Sequence, residues 1–174
     1  MRSRYALPQR ILLSLLVCAA LQGALRAGSD GPKKTECAII VKVVDGDTFE
    51  IVKADGTTDK VRLIGMDCPE AGRNPKLYRD GMKEHRDIAG ILEAGRLATD
   101  FVRSILKPGD PVDLEYDVQL RDKYRRVLAY VYLEDGRMIN RILLEKGYAS
   151  LMTMPPNVKY AEEFLAAFRS GRNR

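Results

Sequence analysis

Between Val44 and Glu70 the chain sets Asp45, Asp47, Arg62, Asp67 and Glu70 at the ends of short apolar runs. The stretch reads Val44-Asp45-Gly46-Asp47-Thr48-Phe49-Glu50, then Ala54-Asp55-Gly56-Thr57, then Val61-Arg62-Leu63-Ile64-Gly65-Met66-Asp67-Cys68-Pro69-Glu70. Short apolar runs broken by Asp-Gly pairs predict strands joined by tight turns. Two hairpins in series fold the Asp45/Asp47 end of one strand back beside the Asp67/Glu70 end of another. Taken alone, Asp-Gly-Asp is an ordinary solvated turn, since both residue types favour turns. A second acidic group, with Arg62 five residues before Asp67, points to chemistry instead. Carboxylates so crowded repel one another unless a cation or a bound proton sits among them. Donors that are all oxygen select Ca²⁺ or Mg²⁺ over zinc.

The strand pattern continues. Residues 39–44, 48–52 and 61–64 read as three antiparallel strands, and 111–117 and 127–133 as two more. Ala94, Leu97, Ala98, Phe101, Val102 and Ile105 recur at helical spacing until Lys107-Pro108-Gly109 stops them. Residues 138–146 predict a second helix with Gly147 just past its end. Asn157 is placed to cap a third, whose buried face carries Ala161, Phe164, Leu165 and Phe168. These stripes are core rather than cofactor boxes. Five short strands with helices between and after them suit an α+β fold, a five-stranded OB-type barrel with three packed helices. By pattern alone that is one candidate among several.

Arg2, Arg4 and Arg10 precede a nearly wholly apolar run over residues 11–20, followed by small residues at Gly23, Ala24 and Ala27. That order is the signature of a secretory signal peptide, too short for the roughly 20 apolar residues of a membrane span. The expected organisation is a signal over 1–27, a polar tether over 28–36, one domain over 37–170 and a tail over 171–174. Secretion or a periplasmic location is the expectation, with no stable membrane association after cleavage and a retained N-terminal anchor as the alternative. Whole, the chain has 29 Lys+Arg against 24 Asp+Glu, net +5. Without the signal it keeps 25 against 24, so the basic balance belongs mostly to the signal. A polyanionic partner must therefore be argued from local clusters. Cys37 and Cys68 remain after cleavage, and the hairpins place them at opposite ends of the sheet, beyond disulfide reach.

One such cluster is Arg121-Asp122-Lys123-Tyr124-Arg125-Arg126, before the last strand. Four cations with an interleaved Tyr can hold phosphate and stack a base, or can be a solvated loop. His85, the single histidine, falls in a weakly patterned segment and reads as a surface residue. A lone histidine there argues against a metal site served by a histidine base.

Together these motifs resemble the staphylococcal nuclease (thermonuclease) family in order and spacing. The resemblance rests on residues 44–48, 61–70 and 122–132, and extends through Asp135-Gly-Arg-Met-Ile-Asn140 and Gly147-Tyr-Ala149, covering roughly residues 37–168. It implies an OB barrel with three helices and Ca²⁺-dependent hydrolysis of DNA and RNA. By resemblance Asp47 and Asp67 bind calcium directly, the backbone carbonyl of Cys68 supplies a third ligand, and Asp45 lies in the outer shell. Glu70 falls on the general base, Arg62 and Arg126 on phosphate-binding arginines, and Lys123 and Tyr124 on residues that contact the nucleotide. The chain departs from the family at Arg125, where many relatives have glycine, and at Met152 and Met154, where tyrosines are usual.

Physical chemistry agrees with that assignment. Calcium offsets phosphate charge and positions water, arginine forks match a five-coordinate phosphorus, and a nearby carboxylate takes the water proton. The function expected is that of a secreted Ca²⁺-dependent phosphodiesterase acting on single-stranded or frayed DNA and RNA. Cleavage of the P–O5′ bond to leave 3′-phosphates follows from the resemblance, and a monomer is expected. The competing functions are a non-catalytic OB-fold module binding nucleic acid or protein, and a structural calcium-binding domain. The first is expected to have lost the metal carboxylates or the glutamate, and the second leaves Arg62 and Arg126 without a role.

Overall fold

The computed structural model describes residues 35–72, 77–78 and 87–173. The expected signal peptide and His85 lie outside them. In chain order the elements are β1 (Thr35–Asp45), β2 (Thr48–Lys53), β3 (Thr58–Leu63), β4 (Met66–Asp67) and α1 (Ile88–Ile105). There follow β5 (Pro111–Glu115), β6 (Val127–Leu133), α2 (Ile139–Glu145), β7 (Ser150–Leu151) and α3 (Ala161–Arg172). Five strands close into a barrel in the order β1-β2-β3-β6-β5, and β4 pairs with β7 as a separate ribbon. Among the described residues this is the expected α+β fold, a five-stranded OB-type barrel with the three helices packed on it.

Both hairpins turn where the Asp-Gly pairs put them, with Asp45 opposite Thr48 and Val52 opposite Thr58. β1 starts earlier than expected, because Thr35 to Ile39 pair with Glu115 to Pro111 of β5. Its register against β2 breaks between Ile40 and Lys42 and again between Val43 and Asp45. Such irregularities bend a strand and re-aim its side chains. The second falls directly before Asp45. The barrel interior is filled by Phe49, Ile51, Val61, Leu63, Leu114 and Val131, and burying each large apolar side chain contributes about 1.5–3 kcal/mol. The expected separation of the two cysteines holds: Cys68 is a buried, reduced thiol beside the first turn, where a Cβ on Gly46 would stand 2.8 Å from its Sγ.

The helices differ from expectation in two respects. α1 begins at Ile88, within the weakly patterned stretch ahead of the stripe from Ala94, where Asp87 caps it through a 3.3 Å bond from the Ala89 amide. Its buried face is Ile91, Gly95, Ala98, Thr99 and Val102, while Leu97 is exposed. The apolar stripe alone rotates the helix slightly from its true contact face. α2 ends as expected, with Gly147 left-handed at φ +74°. Asn157, however, does not cap α3, which starts after Tyr160. The Asn157 side chain is buried, accepting from the Gln119 amide at 2.7 Å and donating to the Gln119 carbonyl at 2.8 Å. A carboxamide matches one backbone N–H and C=O at once, so it staples the segment before α3 to the one before the basic loop. No helix among the described residues is long and apolar enough to cross a membrane.

Candidate active site

Asp47 opens β2 at the mouth of the barrel and is tied down on every side. Its Oδ1 accepts from Thr48 Oγ1 at 3.1 Å and pairs with Arg62 Nη1, and its Oδ2 accepts from the Cys68 amide at 2.8 Å. Its own carbonyl accepts from the Leu63 amide at 3.0 Å. Arg62, on β3 opposite Thr48, turns its other nitrogen to Asp67 and to the Met66 carbonyl at 3.4 Å. One guanidinium thus joins the two aspartates, with Arg62 and Asp47 both buried. It is the cation that the crowding of carboxylates demands.

Asp67 is placed by the short β4, clamped opposite Ser150 of β7. The turn leading into β4 needs Gly65, which has φ +82° and would set a Cβ 2.5 Å from the Phe164 ring. Just before it, the buried Asn140 donates to the Ile64 carbonyl at 2.9 Å and accepts from Val131 at 3.0 Å. Two helices therefore support this corner of the site.

Beside the Asp47–Arg62–Asp67 bridge lies a cavity of about 380 Å³, lined by Val44, Asp45, Glu70, Ala71 and Gly72 and, from α1, by Arg96, Thr99, Asp100 and Arg103. Asp45 and Glu70 thus share one chamber. Burial pushes the Asp45 carboxyl above its usual range, against the opposing pull of Arg62, Thr48 and Arg126. Glu70 is positioned by backbone contact: a Cβ on Gly95 would come within 2.4 Å of the Glu70 carbonyl. Only glycine lets α1 approach that peptide.

The basic loop is pinned by Asp122. Asp122 Oδ1 accepts from the amides of Tyr124 and Arg126, both at 2.9 Å, and its Oδ2 holds Arg126 Nε at 2.7 Å. Arg125 completes the turn at φ 66°, a left-handed backbone that suits glycine better than arginine. Tyr124 is 69% exposed, with Lys123 Nζ 5.0 Å and the Arg126 guanidinium 5.5 Å from its ring centre. Of the nine expected site residues, Asp47, Arg62, Asp67 and Cys68 are in direct contact. Asp45 and Glu70 line the adjoining cavity, and Lys123, Tyr124 and Arg126 form a neighbouring cationic face. Met154 is 62% exposed, on the segment that Asn157 fastens to residue 119.

Gly95, Arg96, Thr99 and Arg103 were not foreseen as site residues. A glycine inside a helical pattern was the available signal, since such a glycine usually marks a close approach.

Comparison with known proteins matches residues 60–174 to the family described as "Staphylococcal nuclease homologue". "Thermonuclease" of Staphylococcus intermedius is 37% identical over 138 residues, covering 75% of this chain and 73% of that protein. "Thermonuclease" of Staphylococcus hyicus is 37% identical over 123 residues, covering 71% and 63%. "Endonuclease YhcR" of Bacillus subtilis (strain 168) is 30% identical over 136 residues, which are 77% of this chain and only 10% of that longer protein. With the barrel, the three helices and these matches together, the chain belongs to the staphylococcal nuclease family.

Proposed function

We propose that this chain is an exported, Ca²⁺-dependent nuclease that hydrolyses phosphodiester bonds of DNA and RNA. Single-stranded or frayed substrate and 3′-phosphate products belong to the same proposal. The observation that carries it is the Asp47–Arg62–Asp67 bridge together with the cavity that Asp45 and Glu70 line. Relatives named thermonuclease and endonuclease support it. Export is proposed from Arg2, Arg4 and Arg10 ahead of the apolar run.

The donor set fits calcium. Both aspartates reach one guanidinium, so their oxygens are close enough to share one cation, and every donor is a hard oxygen. Among the described residues no three His, Cys, Asp or Glu side chains gather around one point, and the proposed set of two carboxylates plus a backbone carbonyl is the one the resemblance implies. Asp47, Asp67 and the Cys68 carbonyl would hold the ion, with Asp45 in its outer shell. Bound there, calcium would supply Lewis-acid neutralisation of charge on a phosphate oxygen. Glu70 takes the proton of the attacking water. Arg62 and Arg126 direct paired N–H groups at the non-bridging oxygens, where charge grows as the fifth bond forms. Lys123 adds charge alongside, and the exposed Tyr124 ring stacks a base.

Two measurements test this proposal. Release of acid-soluble nucleotides by exported protein, its mass showing loss of the first 27 or so residues, is expected to stop on chelation and to resume better with Ca²⁺ than Mg²⁺. Calcium tolerates irregular coordination that magnesium does not. Full turnover in excess chelator would remove calcium from the mechanism. Separately, Gly95→Ala is expected to push α1 off the Glu70 peptide. A displacement near 1 Å costs about 10²-fold in kcat. Parent kcat in a folded Gly95→Ala protein would show that α1 does not position Glu70.

A further inference from the structure

The cavity beside Glu70 extends beyond what a water-activating carboxylate occupies, and its α1 wall is basic. Arg96 and Arg103 stand seven positions apart on that wall, two turns along one helix face and so about 10.5 Å apart along the axis. Arg96 is exposed and makes no hydrogen bond or ion pair among the described residues. Arg103 is held from behind by a 3.4 Å bond to the Val43 carbonyl, and its pair with the exposed Asp100 is loose at 3.5 Å. By contrast, Arg121 has a two-pronged pair to Asp59, and Arg126 is gripped by Asp122 through Nε and Nη2.

Barrel order places these arginines. α1 packs on β1, whereas Lys123, Tyr124 and Arg126 lead into β6 beside β3. The carboxylates and Arg62 lie between. We propose that Arg96 and Arg103 bind backbone phosphates of the nucleic-acid strand next to the one cleaved. The strand then runs from Tyr124 over Arg126 and Arg62, past Glu70, and onto α1. This rests on the nuclease function proposed above. Asp100 shares the wall, but a solvent-exposed pair holds Arg103 only weakly, so an arriving phosphate displaces it. Gly95 serves the subsite too, since its close contact is what brings Arg96 to the cavity.

The test compares KM and kcat at saturating calcium for a dinucleotide with one phosphodiester and for a single-stranded dodecamer, each at 50 and 200 mM salt. Each phosphate contact on a single strand contributes about 0.7 to the log–log salt slope. For the dodecamer, Arg96→Gln/Arg103→Gln is expected to flatten the rise of KM with salt by about 1.4 in slope, about sevenfold across that range. The loss is expected to disappear as the substrate shortens, and Arg96→Lys/Arg103→Lys to recover most of the slope. Arg96→Gln alone, at an exposed position, guards against a folding defect and should flatten the slope by about half as much. An unchanged slope, an equal loss on both lengths, or a loss confined to kcat would overturn the subsite while leaving the nuclease function intact. A parent that cleaves neither length would remove the nuclease function and the subsite with it.

Discussion

Glu70→Gln should leave substrate affinity nearly unchanged and lower kcat on the order of 10²–10⁴-fold, the usual contribution of a general base. The amide keeps the carboxylate's shape beside Asp45 and loses its basicity. Arg126→Lys should also act on kcat, because charge is kept while the fork that Asp122 now holds through Nε and Nη2 is lost. If Arg126 only anchors the ground state, KM rises and kcat stays. Both constants, measured on one defined oligonucleotide at saturating calcium, separate the two roles. Near-parent kcat for Glu70→Gln would leave solvent or another group as the proton acceptor. The effects of Arg62 and Arg126 need not add, since the proposed mechanism directs both at one phosphate.

The second large effect is on stability. Arg62→Gln removes the only positive charge bonded to Asp47 among the described residues, and the Asp47 side chain is 4% exposed. Breaking a buried pair from one side leaves an uncompensated charge and costs about 3–5 kcal/mol. In a domain of this size that lowers the melting temperature by about 10–20 °C. Calcium should recover most of it, because a divalent ion between Asp47 and Asp67 supplies the missing charge and stabilises only the folded state. Thermal melts of parent and variant in chelator and in millimolar calcium decide the point. A deficit untouched by calcium would mean that the two aspartates do not share a cation. No deficit in chelator would mean that Arg62 does not compensate them.

Local rules found most of the barrel. Asp-Gly pairs at 45–46 and 55–56 mark turns whatever surrounds them, and the β-branched runs between them have strand periodicity. Asp45, Asp47, Asp67 and Glu70 were therefore placed together before any contact was known. Helix faces decided by close packing were harder to read. α1 meets the Glu70 peptide through Gly95, and Thr99 is buried on the same face; neither is an apolar residue, while the apolar Leu97 faces solvent. Asn157 looked like a cap because its type favours caps. Its partner is Gln119, 38 positions away, and no local pattern encodes that. Arg62 was assigned to phosphate through its resemblance to a family motif, and its hold on Asp47 and Asp67 emerged only with the folded register.

Among the described strands, β3 with β6 is the one parallel pairing, joining Val61 to Val127 and Arg62 to Leu128. Arg62 lies on one side of this seam and Arg126 just ahead of the other. The two hairpins of β1 to β3 are held by their own ladders and do not depend on it. Parting the seam would separate the arginines while leaving those hairpins intact, and local openings cost less than global unfolding. A phosphate gripped by both arginines would act as a clasp, holding the barrel shut for as long as the strand stays bound.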